Sequence, residues 1–347
     1  MAQSELFSRT LRLPGRRAAL SGALSAAVAS AFALTVPSVF AQGADPAAGW
    51  PSQPIRFVVP ASGGGGTDVI IRLVGKYLSE ALNQPVLVEN RAGAGGVIGA
   101  QYATTQKPDG YTFLAIPSAF GVRAAIDRNL PFDAIKDFVG VGQMARSPSF
   151  MVVSPSLGFK TLKDLIAYAK AQPKGIVYGS AGVGSTAHLH AAAVAQLAGF
   201  KSEHVAYKGT PEAVNDAMAG RILYAFAPGP NAIPLARDGK LQILASSSAA
   251  GARFMPGVPS LAQAGVAGYE GEDWFGVVAP AGTPLAIRQR LAKEMARILA
   301  LPDVRERLAT LGAEPVSSGP VEFETFVREY IQRTRKLAEE IGMKPEG

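Results

Sequence analysis

The chain has 347 residues, 48% hydrophobic and 18% charged, with a formal net charge of +7. That length suits two domains of about 150 residues each and that composition excludes a disordered chain. The basic residues are scattered, with no run of five and no interleaved aromatic platform, which excludes nucleic acid as a partner. There is no cysteine, which excludes disulfides and cysteine metal sites.

Residues 1–41 read as a secretory signal. Arg9, Arg12, Arg16 and Arg17 precede an uncharged run over 18–36, and Val39 and Ala41 stand at the −3 and −1 positions of a cleavage site. The run is rich in Ala, Ser and Gly, too weakly apolar for a bilayer anchor. Its removal takes four Arg and one Glu, so the charge falls from +7 by 3 to +4, a mild excess that suits a small anion. An exported chain without a lipid-attachment cysteine diffuses freely, which points to a Gram-negative periplasm.

Residues 42–54 read as a flexible mature N-terminus. A strand is predicted over Ile55–Val59, then a helix over Asp68–Leu82 with Ile70, Leu73, Val74, Tyr77, Leu78 and Ala81 on one face. Strands Val86–Glu89 and Tyr111–Ile116 follow, and continuous apolar strands separated by helices predict a parallel sheet covered on both faces. The alternation restarts with strands Phe138–Met144 and Phe150–Ser154. Thr161 and Asp164 then form a capping box. Further strands are predicted over Ile176–Gly179, His204–Tyr207, Ile222–Ala227, Leu241–Ser246 and Phe275–Ala279. Thr210-Pro211 and Thr283-Pro284 read as helix N-caps followed by proline. Helices Pro284–Ala300, Asp303–Leu311 and Val321–Ile341 close the chain and need a surface to cover. The expected architecture is α/β with two domains: 48–145 joined by 273–347, and 146–272. Two crossover strands near 142–150 and 270–278 link them.

Two loops carry the candidate chemistry. Pro60-Ala61-Ser62-Gly63-Gly64-Gly65-Gly66-Thr67-Asp68 leaves a strand and enters a helix; its glycines permit close backbone approach and the free amides at the helix start favour an anion. Gly179-Ser180-Ala181-Gly182-Val183-Gly184-Ser185-Thr186-Ala187-His188 repeats the device in the second unit. Gly93-Ala94-Gly95-Gly96-Val97-Ile98-Gly99 resembles a dinucleotide fingerprint, but its spacing is wrong and no acidic residue ends the next strand, so it reads as helix–sheet packing and no cofactor is expected. His188 and His190 lie two apart on a helix and point apart, and no metal pattern is present. His188 has two open roles, packing or anion contact. Tyr207-Lys208-Gly209 ends a strand at a capped helix, with Lys208 either solvated or facing a carboxylate. Glu270, Glu272 and Asp273 read as an exposed acidic loop. No nucleophile with a base and an orienting group is present, which argues against a hydrolase or an oxidoreductase.

In order and spacing, these motifs resemble the substrate-binding receptors of tripartite tricarboxylate transporters, the Bug receptors. The markers are the glycine loop through Thr67-Asp68, Val88-Glu89-Asn90-Arg91-Ala92-Gly93, Lys107-Pro108-Asp109-Gly110-Tyr111-Thr112, Tyr178-Gly179-Ser180 with Gly184-Ser185-Thr186, Tyr207-Lys208-Gly209, and Trp274-Phe275-Gly276 with Ala279-Pro280-Ala281-Gly282-Thr283-Pro284. The resemblance implies a type II periplasmic binding fold, a Venus flytrap of two domains hinged by two strands, acting as a monomer that closes on one carboxylate. It implies ligand contacts from Ala61, Ser62, Gly64, Gly65, Thr67, Asp68, Ser118, Ser180, Gly182, Gly184, Ser185, Thr186, His188, Tyr207, Lys208 and Ala227. A large and a small integral-membrane partner are implied too; a signalling partner is the alternative. The family often has an aromatic at Ala61, an Asp at Ala227 and a different polar pair at Pro117-Ser118. Lacking that Asp, an amino-acid ligand is less expected than a di- or tricarboxylate or an aromatic acid.

Overall fold

A computed structural model describes residues 47–343. The expected signal segment 1–41 lies outside them. The chain begins with β1 (Ile55–Val59), α1 (Gly66–Leu82), β2 (Val86–Asn90), α2 (Val97–Thr104), β3 (Thr112–Pro117) and α3 (Ser118–Ile126). It crosses on β4 (Phe138–Val153) and continues through α4 (Leu162–Lys170), β5 (Ile176–Ser180), α5 (Thr186–Ala198), β6 (Ser202–Ala206), α6 (Thr210–Met218), β7 (Tyr224–Pro228), α7 (Gly229–Arg237) and β8 (Gln242–Ser246). It returns on β9 (Glu272–Pro280) and ends with α8 (Leu285–Leu299), α9 (Pro302–Thr310), a short β10 (Glu314–Pro315) and α10 (Pro320–Glu340). No helix among the described residues is long and apolar enough to cross a membrane.

The expected parallel sheet is in fact mixed. β1 pairs parallel with β2 and β3, and β5 pairs parallel with β6 and β7. Between these groups β9 runs antiparallel to β3 and β4, and β4 antiparallel to β7 and β8. The reason is connectivity: β4 carries the chain out to the second group and β9 carries it back, so the two must run in opposite directions. The two strands predicted over 138–144 and 150–154 are one strand. Arg146, Ser147 and Pro148 interrupt its apolar pattern, yet Pro148 sits where pairing with β9 ends and pairing with β7 begins at Ser149. A proline is tolerated there because the hydrogen-bonding partner changes.

Both faces of the first group are buried, as alternation requires. Phe57, Val59, Phe113 and Ala115 face α1 and α8, meeting Ile70, Val74, Ile287 and Leu291. Val58, Leu114 and Ile116 face the other way, onto Phe323, Val327 and Ile331 of α10. The helical tail thus returns to the first group and covers both of its faces. Gly276 on β9 is required here, since a Cβ would run into the Phe323 ring. In the second group Met151 and Val153 pack with Leu165, Val194 and Tyr224, while Phe150 and Val152 pack with Val214 and Ile233 on the opposite face. The end of α10 and the residues just after it meet both groups: Ala338 and Met343 pack with the first core, whereas Leu337 and Ile341 rest against the second.

Three local expectations need correction. Ala47 and Trp50, read as part of a flexible terminus, are buried, and the Trp50 indole donates to the Gly110 carbonyl at 2.9 Å. Helix α3 (Ser118–Ile126) has no counterpart among the predicted elements. The proline caps shift by one residue, with Gly209 capping α6 and Pro284 capping α8, while the Thr283 hydroxyl donates to the Pro280 carbonyl.

Candidate functional site

The glycine loop after β1 delivers Gly65, in extended conformation, as the N-cap of α1, and no side chain caps the amides that follow. A Cβ at Gly66 would stand 3.1 Å from Phe275 and 3.3 Å from Pro228, so those side chains would have to give way. After β5 the second loop delivers Ser185 as N-cap of α5, its hydroxyl accepting from the His188 amide at 3.2 Å. These two helix starts are not alone. Gly65, Gly96, Pro117, Ser185, Gly209 and Pro228, the N-caps of α1, α2, α3, α5, α6 and α7, all line one cleft. Five of the six helices have no side-chain cap. A helix start leaves its first amides without partners and carries partial positive charge, so these six starts offer amide donors suited to an anion.

The cleft holds about 880 Å³ of empty space counted out to its mouth. Its walls are largely apolar, with Phe120, Phe132 and Phe275, and its charged groups are Arg123, Lys208 and Asp273. The rims touch across it. Ser62 donates to Glu212 at 2.6 Å, Asn231 to the Gly64 carbonyl at 2.9 Å, and Arg123 to the Val183 carbonyl at 2.6 Å.

Of the residues expected at the site, Ala61, Gly65, Thr67, Ser185, Thr186 and Lys208 line the cleft, Lys208 at an exposed position. The others stand behind or beside it. Asp68 turns back to accept from the Gly64 amide, Arg72 and Asn90, each at 2.9 Å. Burial opposes its ionisation, but the bonds from Arg72, Gly64 and Asn90 and the Arg72 charge hold its carboxyl below the ordinary value. It braces the glycine loop. Ser62 and Gly64 make the rim contacts above. Ser180 accepts from the Gly182 amide and lies 2.7 Å from His204, tying its own loop. Gly182, at φ 107°, and Gly184, at φ 72°, admit the opposite rim: a Cβ would come 3.3 Å from Gly95 at the first and 2.7 Å from Arg123 at the second. Tyr207 points to Asp216, 2.6 Å away, and its phenol is pushed up to about 12 by burial and that carboxylate. Ala227 packs in the core with Phe150.

His188 and His190 do point apart. His188 stacks on His204 at 4.1 Å and accepts from the Gly184 amide through Nδ1; His190 meets Tyr269 and Phe226. Burial lowers His188 to about 4, helped by the charges of His204 and Arg123, and burial alone lowers His190 to about 3. His188 thus packs against His204 and the Gly184 amide and is not among the residues lining the cleft.

Asp273 overturns the exposed acidic loop. It lies inside β9, is 6% exposed, and lines the cleft with Phe275 two residues on. It accepts from Ser149 at 2.5 Å and from Ser118 at 2.9 Å, and Ser118 is 2.7 Å from Thr186. Burial raises its pKa, and those hydroxyls only partly offset that. Arg123, Gly95, Gly96, Ser149 and Pro228 are further lining residues missed from sequence. Extending the β9 pattern by two residues, so that Asp273 shares a face with Phe275, was the available signal for Asp273.

A family model described as the tripartite tricarboxylate transporter family receptor matches residues 70–343. The chain belongs to that receptor family. BugT of Bordetella pertussis is 33% identical over 297 residues, 85% of this chain and 91% of that protein. A protein encoded in the tcbD-tcbE intergenic region of a Pseudomonas strain is 33% identical over 93% of this chain and 94% of its own length. Among solved structures, R. palustris Rpa4515 with adipate superposes with a TM-score of 0.82 at 33% identity, covering 84% of this receptor and 98% of that chain. MatC of Rhodopseudomonas palustris with bound malate gives 0.79 at 28% identity, covering 83% and 99%. The receptor therefore has the two-domain type II periplasmic binding fold, and it is a solute-binding protein rather than an enzyme.

Proposed function

We propose that this receptor captures one small organic carboxylate between its two domains in the periplasm, after removal of a signal segment ending near Ala41, and delivers it to a large and a small membrane subunit of a tripartite transporter. The observation that carries this reading is the convergence of six helix N-termini, five without a side-chain cap, on one cleft. Adipate and malate in related receptors support a carboxylate as the ligand class. In this reading the domains are 48–145 with 273–347, and 146–272, and the receptor works as a monomer without cofactor. Ala61, Gly65, Thr67, Ser185, Thr186 and Lys208 would contact the ligand. β4 and β9 form the hinge.

A thermal-shift screen over mono-, di-, tricarboxylic and aromatic acids tests it. At a hundredfold excess over Kd a true ligand adds about 2.7 kcal/mol of stability. Gly65→Leu fills the wall at the α1 start and should abolish the shift. A shift that survives in Gly65→Leu, or no acid that stabilises the protein, would sink the reading.

A further inference from the structure

The hydrogen-bond directions around Asp273 say what its end of the cleft can accept. Ser118 and Ser149 each own one hydroxyl hydrogen and both are spent on the Asp273 carboxylate. The Thr186 hydroxyl lies 2.7 Å from Ser118 and also bonds the Asp273 carboxyl. All three hydroxyl hydrogens run inward toward one carboxylate. What Asp273, Ser149 and Thr186 show the cleft is therefore acceptor oxygen, and a carboxylate accommodates about four hydrogen bonds, so capacity remains. None of the ion pairs among the described residues includes Asp273. A buried carboxyl without a cationic partner, set in the wall of an otherwise donor-rich cleft, repels an acid group and favours a donor.

We propose that Asp273 is a specificity-determining residue: the receptor prefers a carboxylate whose carbon frame also bears a hydrogen-bond donor, a hydroxyl or an ammonium group, placed against Asp273 while the acid lies on the helix starts. The proposal rests on the receptor reading and deepens it. Ala227 lacks the carboxylate that the family resemblance leads one to expect at the end of β7, and Asp273 supplies one from the return strand instead. Ser149, which pairs with Pro228 one residue beyond Ala227, donates to Asp273. An amino-acid ligand is thereby restored to the candidates beside a hydroxy acid.

Calorimetry with matched acids tests this: succinate, malate and aspartate; glutarate, 2-hydroxyglutarate and glutamate; phenylacetate, mandelate and phenylglycine. In whichever set binds, the hydroxy or amino acid should bind about ten- to a hundredfold tighter than the unsubstituted acid, the worth of one bond to a charged group. Tighter binding by the amino acid assigns an ammonium, tighter binding by the hydroxy acid a hydroxyl. In Asp273→Asn that preference should fall to within about threefold. Asp273→Ser, with its ligand-free melting temperature checked first, gives the same readout if Asn does not fold. A purely structural Asp273 would change stability and leave the ratio within each set unmoved, which overturns the inference, as does an unsubstituted acid that binds as tightly as its partners. Failure of every acid to bind sinks the receptor reading with it.

Discussion

His188 and His190 lie two residues apart in sequence and share one consequence. Unfolded, each takes a proton near pH 6.5; folded, burial holds them neutral down to about 4 and about 3. The unfolded chain therefore binds more protons across that window, so stability is fully present above 6.5 and falls as the pH drops below it. Each histidine contributes about 1.4 kcal/mol per pH unit. Asp273 works in the opposite sense, since burial makes its folded carboxyl take up a proton more readily than the unfolded one. Denaturation of the wild type and of His190→Phe between pH 7 and pH 4.5 checks this: the variant should lose one histidine's share of the slope, whatever its stability at pH 7. An unaltered slope would show that His190 is not held neutral by the fold. Residues also show why parts of the site were illegible. Asp68 has the right position for a ligand contact, and only the geometry of Gly64, Arg72 and Asn90 turns it away. Asp273 sits next to Glu272 and Glu270, and nothing in composition separates the one buried acid from its half-exposed and exposed neighbours.

At the scale of elements, the starts of α1 and α5 were legible because glycine runs with hydroxyls mark a strand-to-helix loop. The start of α3 was not, since Pro117-Ser118-Ala119 carries neither a glycine run nor a charge. The long β4 was cut in two because Arg146, Ser147 and Pro148 lie at a change of pairing partner, which is a tertiary fact. Helix α10 was legible by length and periodicity, and its burial makes it a major stabiliser. Phe323 is fully buried between Gly276 and Trp274. Phe323→Ala should cost about 3–5 kcal/mol in chemical denaturation, since Phe323 shares one buried cluster with Phe120, Phe132 and Trp274. A loss under 1 kcal/mol would mean α10 is not part of the cooperative core.

At the scale of the whole molecule, the two-domain plan and the return of the helical tail followed from the alternation of elements, while the closeness of the rims did not. That closeness depends on pairs far apart in sequence, Ser62 with Glu212, Gly64 with Asn231, and Arg123 with Val183. Glycines at 182 and 184 let the second rim approach Gly95 and Arg123. Removing one such tie should raise the cost of the closed form and so weaken capture. Glu212→Ala is expected to bind ligand about three- to tenfold more weakly and, without ligand, to scatter X-rays with a larger radius of gyration. Equal affinity together with an equal radius would show that the Ser62–Glu212 bond does not hold the rims.

The end of α10 adds a mechanical consequence. Leu337 and Ile341 rest against one core while Ala338 and Met343 belong to the other, so the end of α10 and the residues just after it lie between the two bodies that separate in the proposed mode of capture. Opening either wets those two aliphatic side chains, on the order of 1 kcal/mol each, or bends the helix tip along with the departing half. On the proposed opening motion, the C-terminal segment would act as a return spring whose stiffness is set by apolar area rather than by the strands that cross between the halves.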